Sequence, residues 1–110
     1  MTTRWLYHAL LREDWERVGE SYAPPSLARE GFVHASYRDV VEASARLYVA
    51  PKGACVIVRI DPGGVGARVE DADTPRGPMP HVFGAIPRAA IVEVVALDAW
   101  DASRAPDVIE

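Results

Sequence analysis

Three histidines, His8, His34 and His81, are the only side chains in this sequence that change charge near neutral pH without help from their surroundings. Each sits beside apolar or backbone-constrained residues, in Tyr7-His8-Ala9, Val33-His34-Ala35 and Pro80-His81-Val82, and none falls on the plainly solvated segments. A lone histidine on a strand is ordinarily a hydrogen-bonded structural residue, so a functional reading requires that the three meet on one pocket. On that reading His34 and His81 are the candidates for hydrogen bonding and acid/base work. Tyr7, His8, Ser36, Arg29 and Glu70 are the candidates for holding a ligand. Arg29 and Arg38 flank the His34 strand, where a guanidinium can meet an anion. Glu70 lies shortly before the Pro80-His81 turn. Glu93 interrupts the apolar run Ala90 to Leu97, which implies a sheet edge, an arginine partner or a pocket that raises its pKa.

Other chemistries fit less well. His34-Ala35-Ser36 resembles the His-x-Ser/Thr element of two-histidine phosphoesterases, but that chemistry needs two copies, and neither His8-Ala9-Leu10 nor His81-Val82-Phe83 carries the hydroxyl. A facial set of three imidazoles would bind zinc and make a metal hydrolase, although no two histidines stand at a local ligand spacing. The single cysteine, Cys55, lies in an apolar run and permits no disulfide within the chain, which points to a reducing compartment. With no leader-like start and no apolar run long enough to span a bilayer, the expected location is the cytoplasm, away from membranes. A net charge of -4 argues against binding DNA through many phosphates. Eleven of the twelve basic residues are arginine, which leaves recognition of a small phosphorylated ligand open.

The elements that must position these residues follow from periodicity. At 110 residues the chain is expected to form one domain, 1–110. Arg4 to Leu10 is apolar and aromatic, as in a strand buried on both faces. Arg12 to Gly19 predicts a short helix with Leu11 as a poor cap. Pro24-Pro25 leads into one or two helical turns capped by Ser26 and ended by Gly31. Phe32 to Ala35 predicts a strand. Ser36-Tyr37-Arg38-Asp39 fits a capping box for a helix whose inner face is Val40, Val41, Ser44, Leu47 and Tyr48. Ala54 to Asp61 is the strongest strand pattern, Val65 to Asp71 a short one, Asp73 to Pro80 irregular, and Ala90 to Leu97 a further strand. The tail beyond Trp100 is expected to fray. About five strands with two or three short helices, not alternating in the second half, predict a mixed α+β domain.

The order of Tyr7-His8, Trp15, Pro25-Ser26-Leu27, Glu30-Gly31-Phe32-Val33-His34-Ala35-Ser36, Asp61-Pro62 and Pro80-His81-Val82-Phe83-Gly84 resembles the bacterial domain-of-unknown-function family 952. Leu6-Tyr7-His8 and Val33-His34-Ala35-Ser36 are also similar to two strands of the ADP-ribosyltransferase superfamily, above all the RNA 2'-phosphotransferases. Ala9-Leu10 stands where those enzymes have Gly-Thr. The resemblance implies an ADP-ribosyltransferase-like pair of split antiparallel sheets around a cleft, with His8 on a ribose hydroxyl. It implies a nucleotide-like small-molecule ligand and NAD as a possible substrate for ADP-ribosyl or glycosidic-bond transfer. A non-catalytic binding or interaction module of the same fold is the alternative, supported by the missing Gly-Thr and by a catalytic glutamate that neither Glu70 nor Glu93 matches.

Overall fold

The computed structural model describes residues 3–110 and has the mixed α+β character expected, with every strand pairing antiparallel. Its centre is β4 (Cys55–Ile60), flanked in one sheet by β1 (Leu6–Leu11) and β8 (Ile91–Ala96). Alternation along β4 sends Val56, Val58 and Ile60 into one apolar cluster with Leu6, Leu10, Val33, Val82 and Ile86. Cys55 and Ile57 go into a second cluster with Tyr7, Val41, Ala45 and Leu97. A strand covered on both faces is why this segment reads as an unbroken apolar run. Glu93 lies opposite Arg59 in the β4–β8 register, its carboxylate 3.4 Å from the guanidinium, which realises the arginine-partner option for that residue.

Around this sheet the short helices are α1 (Arg12–Glu16), α2 (Pro25–Glu30) and α3 (Arg38–Ser44). α1 stops three residues earlier than predicted. The Ser26 cap is not formed: Pro24 and Pro25 pre-set the extended entry and first helical φ without a side-chain bond. Gly31 does end α2, at φ 86°. Nor does Ser36 cap α3. Tyr37 takes the cap position with no side-chain bond, and Ser36 is buried with its backbone paired to Tyr7. After Ser44 the helix widens into a π turn over Ala45–Val49. Val41, expected inside, is buried and Ala45 extends that face, whereas Leu47 and Tyr48, also expected inside, lie in the π turn and are exposed.

Asp73 to Pro80, expected to be irregular, and the end of the short strand expected over Val65 to Asp71 together form a hairpin. β5 (Val69–Thr74) and β6 (Gly77–Val82) pair in register, and β3 (Val33–His34) pairs with the other edge of β6 to make a second three-stranded sheet. A two-stranded piece, β2 (Ser21–Tyr22) with β7 (Ile86–Pro87), completes the described strands. The tail is held rather than frayed: Trp5 N–H donates to the Asp107 carbonyl at 2.9 Å, Ile109 N–H to Thr3 at 2.8 Å, and Arg4 pairs with Asp107 at 2.8 Å. No helix among the described residues is long and apolar enough to cross a membrane. Because Ile57 is fully enclosed at the middle of the central strand, Ile57→Ala is expected to lower unfolding free energy by about 2–5 kcal/mol. Urea denaturation followed by tryptophan fluorescence measures this.

Candidate functional site

The two larger sheets meet at one bridge. Tyr7 N–H donates to the Ser36 carbonyl at 2.8 Å and Ser36 N–H returns a bond to Tyr7 at 2.7 Å. β1 is the outer strand of its sheet, so this bridge covers only part of its free edge. In an antiparallel ladder, backbone groups two residues apart face the same side. Ala9 therefore turns its N–H and carbonyl outward as Tyr7 does, and Ala9 lines an open pocket of about 790 Å³ just beyond the bridge.

All three histidines line that pocket, together with Ser36. His34 and His81 are directly opposite in the β3–β6 register, with ring centroids 5.4 Å apart. Phe32 stacks on His81 at 3.9 Å and 11° and meets His34 edge-on at 4.7 Å, which fixes both rings. The Nε2 of His34 lies 2.5 Å from a carboxylate oxygen of Glu30, so the ring donates its Nε2 proton there. Burial, and then the neighbouring His34, hold His81 below the ordinary imidazole range, with Glu30 opposing.

His8 is differently placed. Its Nδ1 lies 2.5 Å from the His34 carbonyl and its Nε2 lies 2.9 Å from the Tyr22 hydroxyl. A carbonyl only accepts, so Nδ1 carries the proton and Nε2 accepts from Tyr22. Burial pushes this imidazole down to about 4. Both nitrogens are occupied, and His8 presents its ring to the pocket.

The remaining candidates are not gathered with the histidines. Tyr7 faces the second apolar cluster, its hydroxyl donating to the Pro106 carbonyl at 2.5 Å and its ring edge-on to Trp100. Glu70 is opposite His81 in the β5–β6 register, but its carboxylate is 3.0 Å from Arg68 and it is outside the pocket lining. Arg29 is exposed in the last turn of α2, away from the lining, and Arg38 donates to the Ala105 carbonyl at 3.3 Å. The rest of the wall is Ser44, Leu47, Tyr48, Val49, Thr74, Pro75, Arg76 and Met79, with no carboxylate. Sequence patterning missed these and Glu30, since the π turn and the hairpin that bring the wall together were not foreseen. No set of three or more His, Cys, Asp or Glu side chains among the described residues is arranged to hold a metal ion.

A model of the family described as "Protein of unknown function (DUF952)" matches residues 9–94. Among solved structures, protein CC0527 from Caulobacter crescentus is similar with a TM-score of 0.71 and 14% identity, covering 84% of each chain. A double methionine variant of that protein gives the same values. At that identity the likeness concerns the fold alone. No curated protein sequence matches the chain.

The state of His8 has a measurable consequence. In an unfolded chain the imidazole takes a proton near 6.5, in the fold only near about 4. Between these values the unfolded state binds more protons, so the His8 contribution is complete above pH 6.5 and is lost as pH falls toward 4. The stability advantage of the wild type over His8→Gln is expected to shrink across that window. Urea titrations of both proteins at several pH values check this, and a constant difference would contradict it.

Proposed function

Since the chain belongs to the family described as "Protein of unknown function (DUF952)", we propose, on its own geometry, that the pocket binds a nucleotide-like small molecule of the NAD or ADP-ribose class. The observation that carries this reading is the convergence of His8, His34 and His81 on one pocket. Its volume of about 790 Å³ falls in the range of pockets that enclose a ligand of this size. Leu47, Tyr48, Val49 and Met79 supply apolar surface for a base or sugar face. The outward N–H and carbonyl of Ala9 offer a donor and an acceptor side by side, which suits an amide or a base edge. Two sheets split at the Tyr7–Ser36 bridge also fit an ADP-ribosyltransferase-like arrangement, with His8 in the first strand and His34 in the second.

Binding without turnover accords best with the lining, because a transfer at the N-glycosidic carbon gains from a carboxylate beside the developing cation, and none lines the pocket. Transfer is the second reading, favoured by the Glu30–His34–His81 series, in which a carboxylate orients one imidazole against another. Titration of the ¹³C-labelled protein with ADP-ribose and with NAD is expected to shift the ring Hε1 resonances of all three histidines saturably by millimolar ligand. Unmoved histidine resonances at that concentration would overturn the reading. Label transfer from NAD to protein in a cell extract, abolished by His34→Ala, would replace binding alone by turnover.

A further inference from the structure

We infer that the β5–β6 hairpin and the end of α3 build an anion subsite in this pocket, in which Arg76 and Ser44 take a phosphoryl group. This rests on the proposed nucleotide-like ligand and specifies which end of it lies where. The Nη1 of Arg76 and the Oγ of Ser44 are both buried with no hydrogen-bond partner, and both residues line the pocket. Among the described residues only two further side-chain atoms are in that condition, Arg59 Nε and Trp100 Nε1, and neither residue touches the pocket. Buried polar groups are almost always satisfied, so two orphans on one wall point to a missing acceptor. Arg76 makes no ion pair with any described residue. With no carboxylate in the lining, its charge is left for a ligand.

The cation is also held in place. Thr74 Oγ1 accepts the Arg76 N–H at 3.2 Å and donates to the Gly77 carbonyl at 2.6 Å, tying the turn on both sides of Arg76. Gly77 reaches φ 98°, where a side chain would be strained, and so closes the turn. The guanidinium carbon stands 5.3 Å from the centroid of the Tyr48 ring, on the π turn that directly follows Ser44. A planar guanidinium and a hydroxyl in the lining of one pocket are donors that phosphoryl oxygens take, and a neutral nucleoside offers them no charged acceptor.

The test compares adenosine, ADP and inorganic pyrophosphate on the wild type, Arg76→Gln and Ser44→Ala, using calorimetry and amide spectra that also confirm folding. The wild type is expected to bind ADP at least about tenfold tighter than adenosine, the size of a charge-assisted hydrogen bond. Arg76→Gln is expected to bring ADP down to the adenosine affinity and leave adenosine unchanged, while Ser44→Ala weakens ADP by a smaller factor. Equal wild-type affinities for ADP and adenosine, or an Arg76→Gln variant that retains the preference or loses both ligands alike, would overturn the subsite and leave the nucleotide reading standing. Pyrophosphate shifting the Arg76 and Gly77 amides while neither nucleoside ligand binds would support the subsite and remove the nucleotide. No binding of ADP or pyrophosphate would remove both.

Discussion

The pair of backbone bonds between Tyr7 and Ser36 is the constraint on which the rest of the molecule depends. Among the described residues it is the only backbone pairing that joins the outer edge of β1 to the strand segment leading out of β3, and so it sets the distance between the two three-stranded sheets. His8, one residue on, donates to the His34 carbonyl, two residues back from Ser36, and extends the junction with a side chain. A protonated His8 would put a second donor where the Tyr22 hydroxyl now gives its hydrogen, and burial opposes that charge. The imidazole thus serves the joint between the sheets and, with His34 and His81, lines the pocket beside it.

Several arginines cover aromatic rings. Arg4 lies over Tyr37 at 4.0 Å, Arg59 over Trp5 at 4.3 Å, Arg68 over Phe83 at 4.3 Å and Arg88 over Trp15 at 4.6 Å. A guanidinium can lie flat on a ring and keep hydrogen bonds in its own plane, which an ammonium cannot. Arg4 does so, reaching Asp39 and Asp107 while stacked on Tyr37. The preference for arginine over lysine, which in the sequence leaves anion recognition open, is accounted for at these four positions by packing.

What could be read from the chain was what depends on local pattern. The apolar run of β4, the αL glycine at Gly31 and the three histidines were all legible for that reason. Of the β5–β6 hairpin only the start, Val69 to Asp71, falls in a predicted strand; the rest does not, because Pro78 and Pro80 argue against a strand and the charge of β5, continued by Asp73, argues for a loop. Each objection has a structural answer. The Ala35 N–H donates to the Pro80 carbonyl, so the backbone of residue 80 faces β3, and the amide hydrogen that proline lacks would have pointed there rather than toward β5. The β3–β6 ladder accordingly ends at His34. β5 is an edge strand, where charge is a common safeguard against pairing with another chain. The rest of the pocket wall could not be read, since it is assembled from this hairpin and from a π turn that periodicity at 3.6 residues does not anticipate.

The π turn makes the pocket wall a matter of chain length as well as of residue type. Ala45–Val49 holds one residue more than an α-helical turn would, and Leu47 and Tyr48 within it face the pocket instead of the core. Loss of a single residue there would let the segment rewind at about 100° per residue and carry a different pair of side chains to the same place. A different pocket surface is therefore within reach of one codon's deletion.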